Sequence, residues 1–227
     1  MRAPVSIVVP TFNAAADLPA SLSCLAEGLE AGLIRELIFT DGGSTDNTAA
    51  LAEEAGAVLL LGKAGRGQQL RRGADAAEGE WLLFLHADTH LDRGWTRALF
   101  DHMRDHPEKA GHFRLGFRAQ GAAPRMVSRW ANLRSWVFGL PYGDQGLFVA
   151  RKLYDRVGGY PEIPLMEDVA LARALKGQIL SIPVTAWTSA ARYEADGWLR
   201  RGGRNLLTLA RYLLGADPER LARSYPR

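Results

Sequence analysis

Val5-Ser6-Ile7-Val8-Val9-Pro10-Thr11-Phe12-Asn13 is the stretch on which the fold turns. It is a short, β-branched apolar run that stops abruptly in small polar residues, which is how a strand buried on both faces reads. Three more runs of this kind, at residues 36–40, 57–61 and 81–85, are read as strands buried in the same way. The intervening segments 17–31, 47–56 and 67–78 have the length and the Ala, Leu and Glu content of crossover helices. Strands alternating with helices build a mainly parallel α/β sheet. In such a sheet ligands collect beyond the carboxyl ends of the strands, so the residues just after each run matter most.

The second half is less regular. Residues 93–105, 122–138, 167–175 and 197–214 read as helices, the third entered from Pro164 and the last basic and amphipathic, while 112–117, 146–151 and 181–186 read as strands. No repeat, low-complexity tract or linker interrupts the chain, so one domain over residues 1–227 is expected. It divides into a regular strand-helix half (1–90), a less regular half (91–190) and a basic helix with its tail (191–227).

Composition narrows the function. The 227 residues are 47% hydrophobic and 23% charged, enough apolar area for a core and too little net charge for wholesale disorder. The net charge of +3 is less than a dedicated nucleic-acid binder needs, so no nucleic-acid partner is expected, whereas anionic small molecules or membrane headgroups suit it. A single cysteine, Cys24, excludes an intrachain disulfide and a multi-cysteine zinc site and favours the cytoplasm. No run approaches the ~18 apolar residues of a spanning helix. The expectation is a cytoplasmic protein that touches a membrane surface peripherally.

Three polar clusters should share one rim: Pro10-Thr11-Phe12-Asn13, Asp41-Gly42-Gly43-Ser44-Thr45-Asp46 and His86-Ala87-Asp88-Thr89. An aspartate directly after a buried strand can accept from a nucleobase imide or a ribose hydroxyl, and the adjoining glycines let the backbone turn around a ligand. The alternative is that Asp41 and Ser44-Thr45 shape a turn and cap the next helix.

In their order these clusters, closed by Glu167-Asp168, resemble family-2 glycosyltransferases of the GT-A fold, a nucleotide-diphospho-sugar transferase architecture with a mixed, mainly parallel sheet flanked by helices. The resemblance covers roughly residues 5 to 190. Phe84-Leu85-His86-Ala87-Asp88-Thr89, Tyr142-Gly143-Asp144-Gln145-Gly146 and Pro164-Leu165-Met166-Glu167-Asp168 further resemble a small bacterial subfamily described as associated with radical-SAM and selenium-domain proteins. The resemblance implies transfer of a sugar from a UDP- or GDP-linked donor to a hydroxyl acceptor, small-molecule or lipid-linked, with inversion and with Mn²⁺ or Mg²⁺. A nucleotide-sugar-binding or regulatory protein of the same fold is the alternative. It further implies that Thr11 and Asp41 contact the base, that Asp88 ends the metal motif, and that Asp168, with Glu167 beside it, is the catalytic base. Where the wider family has the first aspartate of its metal motif, this chain has His86, which either ligates the ion, hydrogen-bonds the donor or fills the strand end.

Other residues enter on their own chemistry. Lys63-Ala64-Gly65-Arg66-Gly67 is a Gly-rich basic turn opening a helix, a setting that favours phosphate, so Lys63 or Arg66 is expected at the donor diphosphate. Arg71 and Arg72 are read equally as a solvated helix face. Asp144 and Gln145, between two glycines, either hydrogen-bond the sugar or acceptor or form a tight turn. Trp130, Trp136 and Tyr142 line an acceptor cleft or belong to the core. Arg192, Trp198, Arg200, Arg201 and Arg204 stand where related enzymes place a lid, although the Gln-x-x-Arg-Trp pattern of processive synthases is absent. This last helix either packs on the domain with its Arg face in water or docks on anionic headgroups with Leu199, Leu206, Leu207 and Leu213 turned inward.

Overall fold

The computed structural model describes residues 3–225, so the first and last two residues of the expected domain lie outside the described residues. The first half runs β1 Val5–Thr11, α1 Leu18–Glu30, β2 Ile34–Asp41, α2 Thr48–Glu54, β3 Val58–Leu61, α3 Arg66–Ala76 and β4 Trp81–Phe84. The second half runs β5 His90–Leu91, α4 Trp95–Asp105, β6 Ala110–Phe117, α5 Ala122–Phe138, β7 Leu147–Ala150, α6 Arg151–Arg156, α7 Glu167–Ala174 and β8 Ile179–Thr188. Three helices follow: α8 Ala191–Asp196, α9 Trp198–Leu213 and α10 Pro218–Ser224. The strands form one sheet in the order β3-β2-β1-β4-β7-β6-β8-β5.

The alternation along β1 explains its central place. Val5, Ile7 and Val9 pack with Leu18 and Leu25 of α1 and Trp95 and Leu99 of α4, whereas Val8 packs with Leu70 of α3, Leu153 of α6 and Leu171 of α7. Both faces are therefore buried, as the apolar run requires. β1 pairs in parallel with β2 and β4, and β2 with β3. β7 then runs antiparallel between β4 and β6, β8 lies parallel to β6, and the two-residue β5 pairs antiparallel with β8. The sheet is thus mixed, with its parallel part where the sequence placed it.

Two expectations fail here. β3 is not buried on both faces: it is the edge strand, and Val58 and Leu61 are exposed, because no strand and too little helix covers that side. Leu199, Leu206, Leu207 and Leu213 do not turn inward, since all four are exposed. The inward side of α9 is taken by Trp198, which stacks on Tyr193 at 4.9 Å, by Arg201 and Arg204, which pair with Asp196 at 2.7 and 3.4 Å, and by Leu209. The sequence reading also left out β5, α6, α8 and α10, which are too short to carry a full hydrophobic period.

Candidate functional site

The ends of β1 and β2 meet first. Thr11 lies opposite Asp41 in the ladder and donates from Oγ1 to Asp41 Oδ1 at 2.9 Å. Ser44 Oγ donates to the same oxygen at 2.5 Å, and the Gly43 and Ser44 amides donate to Oδ2 at 2.8 and 2.7 Å. Burial alone would raise the pKa of Asp41, but the donors from Ser44, Gly43 and Thr11 overcome it and hold the carboxyl below its usual range. Asn13, in a left-handed conformation at φ 49°, stitches the two loops together: its amide donates to Ser44 Oγ at 2.8 Å and its side chain accepts from the Thr45 amide at 2.8 Å. Pro10 stands half-buried just before, opposite Thr40. From below, the Gln69 amide of α3 donates to the carbonyls of Thr11 and Thr40 at 2.8 and 2.6 Å. Sequence reading missed Gln69, although a glutamine on the inward face of a helix is a sign of such a bracket.

A second cluster gathers around Gly143. The Gly143 amide donates to Asp168 Oδ2 at 2.8 Å, and the Val169 amide donates to Oδ1 at 2.7 Å. A methyl group on Gly143 would lie 2.8 Å from His86 Nε2 and 3.7 Å from Asp168 Oδ2, so His86, Gly143 and Asp168 share one small space that only glycine leaves open. Three buried polar atoms there lack hydrogen-bond partners: His86 Nε2, Asp144 Oδ1 and Tyr142 Oη. Met166, immediately before Glu167, is held in the left-handed region at φ 66°, a strained backbone for a non-glycine residue. Close packing brings in α3: a methyl on Gly67 would meet the Pro161 and Ile163 carbonyl oxygens at 2.4 and 2.8 Å. Arg66 Nε consequently lies 3.8 Å from Glu167 Oε1, with Glu167 buried and the Arg66 side chain 41% exposed. Asp88 is tied to the end of β8, its Oδ2 accepting from Thr188 Oγ1 at 3.1 Å and the Ser189 amide at 3.3 Å.

The electrostatics join these groups. Burial pushes Asp144 up to about 6 against the pull of Arg134, with Asp168 and Asp88 adding to the rise. Glu167 is raised by burial and by the charge of Asp168, opposed by Arg66. His86 is lowered by burial and by Arg66, opposed by Asp88, and so is neutral near pH 7, with a nitrogen able to act as donor or acceptor according to tautomer. Arg66 is raised despite its own desolvation because Glu167, Asp168, Asp144 and Asp88 all act on it. Arg192 also acts on His86. One arginine among four carboxylates, with an unpaired imidazole and an unpaired carboxylate oxygen, can meet an anion, take a proton and share a cation. Among the described residues no three His, Cys, Asp or Glu side chains form a group able to hold a metal ion unaided.

Some expected residues lie elsewhere. Gln145 is fully buried and its amide is spent inside: Oε1 accepts from Ser135 Oγ at 2.6 Å, and Nε2 donates to the Phe113 carbonyl at 3.2 Å. It is a bracket for the turn rather than a cleft residue. Lys63 is exposed and has no hydrogen bond or ion pair with the cluster. Arg71 and Arg72 are not a solvated face, for Arg71 donates to the Gly158 and Tyr160 carbonyls and Arg72 to that of Asp41, each at 3.1 Å. Trp136 is 77% exposed on α5, and Trp130 is exposed as well, so neither is core. Tyr142 lies under the Arg134 guanidinium at 3.5 Å, a contact that sequence reading did not foresee because it depends on how α5 returns to the turn at Gly143–Gln145.

Comparison with known proteins follows the same lines. A "PGL/p-HBAD biosynthesis glycosyltransferase" of Mycobacterium tuberculosis is 41% identical over 106 residues, which are 43% of this chain and 41% of that one. The match thus spans about two-fifths of the relative's own length. In fold, a mannosyltransferase of Pyrobaculum calidifontis in complex with GDP-Man and Mn²⁺ superposes with a TM-score of 0.66 at 17% identity, over 96% of this chain and 66% of that one. S. aureus TarS in complex with UDP-GlcNAc gives 0.61 at 16% identity, over 82% and 58%. The family profile described as "Glycosyl transferase family 2" matches residues 6–158, from β1 past the Gly143 turn. With two-thirds of the chain under that profile and the GT-A architecture in place, the protein belongs to glycosyl transferase family 2.

Proposed function

We propose that the protein transfers a sugar from a UDP- or GDP-linked donor to a hydroxyl acceptor, with inversion and with help from Mn²⁺ or Mg²⁺. The observation that carries this reading is the cluster around Gly143, where Asp168, Asp144, His86 and Arg66 stand in one electrostatic neighbourhood with polar atoms unpaired. Buried polar groups are normally satisfied, so several unpaired ones together point to a ligand. Family membership and neighbours holding UDP-GlcNAc or GDP-Man support a nucleotide-sugar as that ligand.

Asp168 is the general base. Two backbone amides fix its carboxylate, each oxygen keeps a free lone pair, and that is what removing a proton from an attacking hydroxyl requires. Glu167 holds Arg66, and Arg66 meets the departing diphosphate; Lys63 is the further cation available at the mouth of the same turn. Pro10, Thr11, Asn13 and Asp41 form the nucleoside seat. Asp41 already accepts four hydrogen bonds, so it serves the base chiefly by holding the Gly43-Ser44 loop in shape. Asp144 and Tyr142 border the acceptor side.

The divalent ion fits the residues present. Asp88 has one oxygen outside its bonds to Thr188 and Ser189 and His86 has an unpaired nitrogen, so these two would hold the ion, with donor phosphate oxygens as the further ligands a hard cation would take. Such an ion supplies charge neutralisation for the leaving diphosphate.

The test is a thermal-shift panel of nucleoside diphosphates and their sugar conjugates with and without Mn²⁺, followed by donor hydrolysis. One donor should raise the melting temperature, because binding at ~100-fold above Kd adds about 2.7 kcal/mol to the native state. Mn²⁺ should enlarge the shift in the wild type and not in Asp88→Ala. Binding without hydrolysis or transfer would move the protein to the nucleotide-sugar-binding alternative, and no shift with any donor would end the proposal.

A further inference from the structure

Two helices that pack against each other, α5 and α9, turn apolar side chains to solvent. On α5 the exposed residues Met126, Trp130, Leu133 and Val137 follow i, i+4, i+7, i+11 spacing and so lie on one face. On α9 the exposed leucines at 199, 206 and 213 repeat every seven residues, and Leu207 and Leu214 form the adjoining row, Leu214 being 88% exposed. The helix is set on the domain by its other side, where Trp198 packs on Leu115 and Phe117 and Leu209 on Met166 and Val169. Its inward face holds Arg201 and Arg204 against Asp196, together with Asn205 and Tyr193 in a hydrogen bond at 3.2 Å. Monomeric proteins seldom leave apolar faces of this extent bare, and here two occur on neighbouring helices.

Charge identifies what covers them. Neither helix contains an acidic residue. Arg125 and Arg129 are exposed beside the stripe on α5, and Arg200 and Arg211 beside that on α9. Pairing this face with a second copy of the chain would set like charges against one another. An anionic bilayer instead offers hydrocarbon to the leucines, phosphate to the arginines and a headgroup region suited to Trp130 and Trp136. We infer that the α5–α9 face docks the protein flat on the surface of a membrane containing anionic phospholipid, without spanning it. Among the described residues no helix is long and apolar enough to cross a membrane. The inference rests on this surface alone and stands whether or not the protein transfers sugars.

The experiment is co-sedimentation of the full chain with phosphatidylcholine vesicles, with and without phosphatidylglycerol, at low and high salt. The wild type should sediment only with phosphatidylglycerol present and less at high salt, where the arginines are screened. The double variant Leu207→Glu with Leu214→Glu should lose about tenfold or more in partitioning, because two leucines no longer leave water. Its melting temperature should not move, since neither side chain is buried. Arg200→Ser with Arg211→Ser should lose the preference for phosphatidylglycerol. Three outcomes overturn the inference: no vesicle binding by the wild type, binding that the leucine variant retains, or a wild-type dimer that the leucine variant dissociates while neither protein binds vesicles.

Discussion

Asp41 and Asp144 are both aspartates on the rim of the sheet, in opposite circumstances. Asp41 leaves β2 into a corner where its carboxylate meets four donors, and its pKa lies below the usual value. Asp144 sits in the turn after α5 with one oxygen buried and unpaired, and burial lifts its pKa to about 6. The Asp41 carboxylate is finished by its own chain, although Thr40 Oγ1 and Arg72 Nε beside it are buried without partners. The Gly143 corner is not: His86, Tyr142 and Asp144 each hide a polar atom with nothing to bond, and a strained Met166 sets Glu167 and Asp168 against them. A closed network gives shape, and an open one carries a cost in stability that a bound ligand offsets. On the proposed function, the first corner is the rigid seat and the second the place of the chemistry.

The comparison breaks most sharply at Asp168. Asp168→Asn keeps the size of the side chain and one of its two bonds from the Gly143 and Val169 amides but cannot take a proton. Turnover, or donor hydrolysis in its place, should fall at least about a hundredfold with donor affinity within a few-fold. Asp144→Asn measured alongside decides between the two carboxylates. An Asp168→Asn enzyme of near wild-type turnover, with Asp144→Asn inactive, would hand the base role to Asp144.

A smaller effect tests the closed corner. Asp41→Ala strands the Gly43 and Ser44 amides and the Thr11 hydroxyl, and should lower stability by about 2–3 kcal/mol in urea unfolding. The sign with pH follows from the lowered pKa. The contribution of Asp41 is present above the unfolded value of 3.8 and is lost as pH falls through its folded pKa, so the gap between wild type and variant should narrow in acid. A constant gap across that range would show that the carboxylate charge is not what the four donors hold.

The smallest effect sharpens the open corner. Between 3.8 and about 6 the folded chain keeps a proton on Asp144 that the unfolded chain has lost, so wild-type stability falls as pH rises through that window. Asp144→Asn should remove that part of the slope and leave a residue from Glu167, whose raised pKa acts in the same sense. Parallel melting curves for wild type and variant from pH 4 to about 7 would mean that Asp144 is solvated in the folded state.

The sequence by itself determined the parallel half of the sheet, the rim at its carboxyl ends and the family, because short β-branched runs and the polar residues that end them are local signals read directly from residue order. Thr11, Asp41, His86 and Asp88 were legible as candidates at strand ends and Asp168 through the family resemblance, and the structure sets Thr11 against Asp41 and His86 beside Asp168. Only the tertiary structure decided which candidates are open. Gln145 looked equally fit for a ligand and is consumed by Ser135 and Phe113, while Gln69, which no motif marks, brackets both strand ends. The same holds for α9, where periodicity shows an apolar face without saying which way it points. Asp196 and the Tyr193–Trp198 stack hold the other side down, so the leucines face out. Burial and pairing depend on partners distant in the chain, and residue order carries no direct record of them.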